Sequence, residues 1–139
     1  MTDTETIFSK IIRREIPAEI VYEDDGVLAF LDISPNNPGH TLVIPKVPTR
    51  NLFTIDAGNW ATVTEVVRTL APKIQRAVGA DGINLIMNNE PAAGQIVFHA
   101  HVHIVPRFAD DGYRHWPGHE YKEGEMADIA EKIRKALTT

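Results

Sequence analysis

Apolar residues recur at helical spacing near the start, in the middle and at the end of the chain. Ile7, Phe8, Ile11 and Ile12, with Lys10, Arg13 and Arg14 between them, predict a short amphipathic helix closed by Pro17. From Asp56 to Gly79 the pattern is longest: Val63, Val66, Val67, Leu70, Ile74 and Val78 share one face, and Pro72 predicts a kink. Glu125 to Leu137 repeats the pattern with Ile129, Ile133 and Leu137 on one side.

Between these stretches the period shortens. Ile20–Glu23 and Val27–Leu31 are β-rich runs on either side of Asp24-Asp25-Gly26, a hairpin signal. The run Ser34-Pro35-Asn36-Asn37-Pro38-Gly39 reads as a loop, and Thr41–Ile44 as a buried strand ended by Pro45. Asp81-Gly82 turns the chain into a strand over 83–87, and Asn88 to Gln95 forms a loop leading into a strand over 96–105. Strands joined by hairpins and long loops, with helices interspersed, predict an α+β domain built on an antiparallel sheet. No repeat or flexible linker divides the 139 residues, so a single domain is expected.

Composition narrows the function. With 14 basic and 19 acidic residues the net charge is −5, which argues against broad contact with nucleic acid or anionic membrane but leaves room for a phosphate-bearing small ligand. There is no cysteine, so disulfides, thiolate metal sites and catalytic thiols are excluded. The start, Met1-Thr-Asp-Thr-Glu-Thr, is polar and unlike a signal peptide, and no apolar run approaches the ~20 residues of a membrane span. A soluble, cytoplasmic protein is the expectation.

Candidate chemistry concentrates in Phe98-His-Ala-His-Val-His-Ile-Val-Pro106. On a strand, His99, His101 and His103 share one face at about 6.7 Å per step, while Ala100, Val102 and Ile104 face the core. Three readings compete. As satisfied sheet residues, each of the three imidazoles needs its own hydrogen-bond partners, which disfavours this reading. As metal ligands they lack a nearby cysteine or carboxylate, since Asp110 and Asp111 lie beyond Pro106, although a distant carboxylate can complete such a site. As catalysts at phosphorus they suit the chemistry, because imidazole ionises near neutral pH and forms hydrolysable phosphoramidates. The third reading is preferred, with Gly94-Gln95 upstream allowing close backbone approach to an anion.

The alternation His99-Ala-His101-Val-His103-Ile-Val resembles the signature of the histidine triad family. The resemblance extends to Ile7-Phe8-Ser-Lys-Ile-Ile, Glu15-Ile-Pro-Ala, Val21-Tyr-Glu-Asp-Asp, Leu28-Ala-Phe-Leu-Asp-Ile-Ser-Pro35, Pro38-Gly-His-Thr-Leu-Val-Ile-Pro-Lys46 and Gly94-Gln95, in the family's order. It covers residues 6–107 of the single domain 1–139 and is nearest the Hint-like branch of nucleoside phosphoramidases and nucleotide-binding proteins. The resemblance implies a five-stranded antiparallel sheet with a long central helix, a short N-terminal helix and a C-terminal helix, usually assembled as a homodimer.

For the site, the resemblance implies a purine mononucleotide or conjugate as ligand, with no cofactor. His101 is then the nucleophile on the α-phosphate, its far nitrogen held by the His99 carbonyl, and water cleaves the nucleotidyl-histidine. His103 contacts the phosphate, and His40 matches a fourth histidine that partners the first of the triad, His99. Asn88 and Gln95 match phosphate-side polar positions, Asp32 the carboxylate that accepts from the ribose hydroxyls, and Ile7, Phe8, Ile11, Phe30, Leu31 and Ile33 the base pocket.

Pattern alone gives plainer readings for several of these. Ile7, Phe8, Ile11, Phe30 and Ile33 read as core, Asp32 as a turn initiator, His40 as the first residue of a strand and Asn88 as an Asx-turn former. Asn36-Asn37, His115 and His119 read as solvated loop. The chain departs from the family pattern in two respects. Thr6, Ser9 and Pro48 stand where many relatives have two cysteines and a histidine that bind zinc together with the first triad histidine, so no structural metal is expected. Ile96 stands where relatives often carry a serine or threonine that assists the leaving group. The reading is thus a hydrolase of phosphorus–nitrogen or phosphoanhydride bonds at a nucleotide α-phosphate. The alternatives are a dinucleoside polyphosphate hydrolase, suggested by Pro48-Thr-Arg, a nucleotide-binding or scaffold protein with vestigial catalysis, and a metalloenzyme.

Overall fold

The computed structural model describes residues 5–139, so the first four residues of the polar start lie outside the described residues. Along the chain run α1 (Ile7–Ile12), β1 (Ile20–Glu23), β2 (Val27–Leu31), β3 (Thr41–Pro45), α2 (Ala57–Val78), β4 (Gly82–Ile86), a 3₁₀ turn (Pro91–Ala93), β5 (Val102–Arg107) and α3 (Glu125–Leu137). The strands form one sheet in the order β1-β2-β3-β5-β4, with every neighbouring pair antiparallel. The α+β class and antiparallel sheet are as the hydrophobic pattern predicts, and the five strands are as the family resemblance implies.

Local chemistry sets most boundaries. Asp24 Oδ1 accepts from the Gly26 and Val27 amides at 2.8 Å, closing the β1–β2 hairpin. Asp56 caps α2 through the Asn59 amide, and Gly79 ends it in the left-handed conformation at φ 67°. The helix runs unbroken through Pro72. β4 starts and ends one residue earlier than the pattern predicts, over Gly82–Ile86.

The sheet separates two apolar clusters. On one face Val27, Ala29, Val43, Val102 and Ile104 pack against Val63, Val66 and Val67 of α2. On the other, Leu28, Phe30, Leu42 and Ile44 pack against Phe8 and Ile11 of α1. Burying one such aliphatic side chain contributes about 1.5–3 kcal/mol, so both faces help to hold β2 and β3 in place. Register then decides what β5 presents: Val43 lies opposite Val102 and Leu42 opposite His103. His103 therefore emerges on the α1 face while Val102 and Ile104 anchor the strand beneath α2.

The C-terminal helix forms over the residues expected, but none of its residues is buried in the chain, Ile133 and Leu137 included. Ile129 and Ala130 are half-buried, while Met126, Ile133 and Leu137 are exposed.

Candidate active site

β5 does not begin where the sequence predicts. The strand was expected over 96–105, yet ladder pairing starts only at Val102. Pro45, at the end of β3, has no N–H with which to extend the ladder. Residues 99 and 100 instead join the end of β3 and the segment after it: His99 Nε2 lies 2.7 Å from the Pro45 carbonyl, and the Ala100 amide donates to the Thr49 carbonyl at 2.8 Å. The His99 carbonyl, released from any ladder, accepts from His101 Nδ1 at 2.6 Å. The three rings still converge. His101 and His103 have centroids 4.9 Å apart, and the edge of Phe8 meets His101 at 5.1 Å and His99 at 6.1 Å.

His40 enters from β3. Gly39 turns the chain into it at φ 91°, where a Cβ would sit 2.9 Å from Val78 Cγ1 and 3.2 Å from Pro106 Cγ, so only glycine fits. The expected pairing of His40 with His99 is corrected here: His40 Nε2 lies 2.9 Å from His103 Nδ1. β3 places Thr41 opposite Ile104 and Leu42 opposite His103, which brings the residue just before β3 to the third histidine of the triad rather than the first.

Hydrogen bonding fixes where each proton sits. Carbonyls only accept, so His101 carries its proton on Nδ1 and leaves an Nε2 lone pair, and His99 carries its proton on Nε2. The Asn36 amide donates to His40 Nδ1 at 3.1 Å, so His40 is protonated on Nε2 and donates to His103 Nδ1. Neutral His103 then carries its proton on Nε2, a buried donor with no partner among the described residues. His101 thus presents an electron pair and His103 a proton.

Burial lowers the pKa of all four imidazoles. For His40 the nearby Asp32 opposes the effect. For His99 the Pro45 carbonyl opposes it, and for His101 the His99 carbonyl and Asp32 do. His103 is lowered furthest, to about 4, by burial and then by the neighbouring His101 and His40. At neutral pH the rings are uncharged, the state a nucleophile requires.

Asp32 both starts a turn and faces the histidines. Oδ1 accepts from the Ser34 amide at 2.8 Å, and Oδ2 lies 3.7 Å from His40 Nε2. Asp32, His40 and His103 each offer one ligand atom, all within 4.8 Å of one another. Two of those atoms are joined by a hydrogen bond, so a cation would have to displace the proton between the rings. The family's structural metal does not fit this chain. Thr6 Oγ1 accepts from the Phe8 and Ser9 amides and Ser9 Oγ from the Thr6 amide, a reciprocal cap on α1, and Pro48 offers no ligand.

The other expected residues divide. Phe8, Ile11 and Phe30 are buried beside the rings' face, while Leu31 is half-buried in β2 opposite Thr41. Ile33 is 90% exposed and Ile7 exposed, so neither is core. Asn88 is half-buried and adjoins Gly94, whose Cβ would lie 3.8 Å from Asn88 Nδ2. Gln95 has another task. It is 4% exposed, with Nε2 donating to the Arg50 and Val97 carbonyls and Oε1 accepting from Asn51 Nδ2 and the Glu90 amide. Its side chain ties two loops together and has no donor left for a phosphate. Asn51, fully buried at that junction and bonded also to Glu90, carries no sequence signal of its own.

Comparison with known proteins gives the chain its relatives. The HIT domain family matches residues 13–110. The purine nucleoside phosphoramidase of Escherichia coli K12 is 47% identical over 103 residues, covering 73% of this chain and 86% of that one. Protein hit of Bacillus subtilis is 41% identical over 141 residues, covering 96% and 94%. The crystal structure of SMU.412c from Streptococcus mutans superposes with a TM-score of 0.90 at 46% identity, covering 99% of this chain and 87% of that one. With family match, sheet and sequence in agreement, the chain belongs to the HIT domain family.

Proposed function

We propose that the protein hydrolyses purine nucleoside phosphoramidates, or related mononucleotide conjugates, through a nucleotidyl-histidine on His101. One observation carries the reading: the 2.6 Å bond from His101 Nδ1 to the His99 carbonyl, which leaves the Nε2 lone pair as the reacting group. Nε2 attacks the α-phosphorus, the bond from phosphorus to the leaving nitrogen breaks, and that nitrogen departs as an amine after taking up a proton. Water then attacks the same phosphorus, breaks its bond to Nε2 and releases the nucleoside monophosphate. The His103 Nε2–H stabilises charge on a phosphate oxygen in this reading, and Asn88 completes the phosphate side. Asp32 accepts from the ribose hydroxyls, and Phe8, Ile11, Phe30 and Leu31 form the inner wall of the base pocket, with Ile7 and Ile33 at its rim. The phosphoramidase named among the relatives supports this substrate class.

The working unit in this reading is a homodimer. β4 is an edge strand exposing Leu85 and Ile86, which with Trp60, Val67 and Met87 line an open, mainly apolar cleft suited to a second copy.

Ile96 favours a second reading, a nucleotide-binding protein with vestigial catalysis. It is 86% exposed and brings no hydroxyl where relatives often have one. Intact-protein mass spectrometry after brief mixing with an adenosine phosphoramidate, with chelator present, decides between the two. A transient adenylyl adduct and released adenylate in the wild type, both absent in His101→Ala while nucleotide affinity persists, establish the hydrolase. Binding without adduct or product in the wild type overturns it in favour of the second reading. Parallel kinetics on a diadenosine polyphosphate test that alternative substrate.

A further inference from the structure

The loop that carries His40 is held from a part of the chain beyond the triad. Asp111 sits in the turn after β5 with its side chain 6% exposed. It accepts from Arg107 Nε at 2.8 Å and Arg107 Nη2 at 3.1 Å, from the Phe108 and Tyr113 amides at 3.0 Å, and from Asn37 Nδ2 at 3.0 Å. Asn37 Nδ2 also donates to the Pro106 carbonyl at 2.8 Å, and Tyr113 Oη donates to the Asn36 carbonyl at 2.9 Å. Asn36 and Asn37 are therefore fixed from two directions. The amide at the same Asn36 is the donor that meets His40 Nδ1.

We infer that Asp111, Asn37 and Tyr113 form a positioning clamp that sets the tautomer of the His40–His103 pair. The chain of cause is short. Asp111 aligns Asn37, and Tyr113 aligns the Asn36 carbonyl. Held in this way, the Asn36 amide can donate only to His40 Nδ1. The proton of His40 is thereby kept on Nε2, His103 Nδ1 becomes an acceptor, and the His103 proton is forced onto Nε2. A loosened loop frees His40 Nδ1 to take the proton, and His103 then has no reason to present a donor. Asn36 and Asn37 act through the clamp and touch no reacting atom. They are positioning residues, as are Asp111 and Tyr113.

The test is the ¹⁵N spectrum of the histidine side chains, which separates protonated from unprotonated ring nitrogens, recorded for the wild type, Tyr113→Phe and Asn37→Ala at neutral pH without ligand. Both variants are expected to turn His40 and His103 into tautomer mixtures and to leave His99 and His101, tied to carbonyls elsewhere, unchanged. A general loosening of the fold would move all four. Tyr113→Phe removes a single exposed hydroxyl, so it gives an answer even if Asn37→Ala folds poorly. Wild-type tautomers at His40 and His103 in Tyr113→Phe, or equal change at all four rings, overturn the clamp. The kinetic counterpart rests on the hydrolase reading above: kcat falls ~10-fold in Asn37→Ala with KM changed less. Because the spectra need no substrate, failure of the clamp and failure of the hydrolase reading remain distinguishable.

Discussion

His40 Nε2 and His103 Nδ1 lie 2.9 Å apart, 63 residues apart in sequence, with one proton between them. This pairing makes the site a chain of neutral donors and acceptors, and it sets how the protein should respond to acid.

Burial depresses the folded-state pKa of these histidines below the ordinary value of 6.5, to about 4 for His103. The folded state then binds fewer protons than the unfolded state between the two values, so for His103 the contribution to stability is intact above 6.5 and is lost progressively as the pH falls toward about 4. Urea midpoints should drop between pH 7 and pH 5 in the wild type, and the drop should be smaller in His103→Asn. An identical slope in the two proteins would contradict the assignment. The acidic limb of the pH–rate profile should likewise fall below pH 6.5.

Gly39→Ala should cost roughly 2–3 kcal/mol, combining the positive φ with a methyl forced against Val78 and Pro106. Chemical denaturation measures the loss. The same change should cut activity more than stability explains, because Gly39 delivers His40 to His103.

Removing Thr6 Oγ1 takes away one half of the α1 cap, and Thr6→Ala is expected to lower stability by ~1 kcal/mol. Chelators should leave the melting temperature of the wild type unchanged. A clear fall on chelation would show that a metal replaces or supplements the cap.

Asp32 offers a separate test of nucleoside recognition. Asp32→Ala should weaken binding of a ribonucleotide by ~1–3 kcal/mol and that of the 2′,3′-dideoxy analogue by much less, as titration calorimetry would show. Equal losses for the two ligands would assign Asp32 to its turn with Ser34 alone.

Much of this was legible in the chain. Period-two alternation at His101, Val102, His103 and Ile104 separates the imidazole face from the core, and the structure keeps that separation. The caps at Asp56 and Gly79 and the Asp24 hairpin depend on neighbouring residues only, so sequence displays them. What escaped depends on register and long-range contact. Pro45 ends the ladder from a different strand and so shifts the start of β5 to Val102. The partner of His40 follows from the pairing of β3 with β5, which no local pattern states. Gln95 sits beside the histidine motif in sequence, yet its amide is drawn to Arg50 and Asn51. Asn37 and Asp111 each read as ordinary loop residues until the fold joins them across 74 positions.

α3, with 13 residues and none buried, bears on how the molecule opens. An isolated helix of that length is marginal in water. Its amides should therefore exchange with solvent deuterium orders of magnitude faster than those of β2, β3 and β5, giving two tiers of protection within one chain. If a second copy covers its apolar side, the faster tier should slow as protein concentration rises while the slower tier stays fixed. Exchange measured at two concentrations would thus report assembly through a helix that has no buried residue of its own.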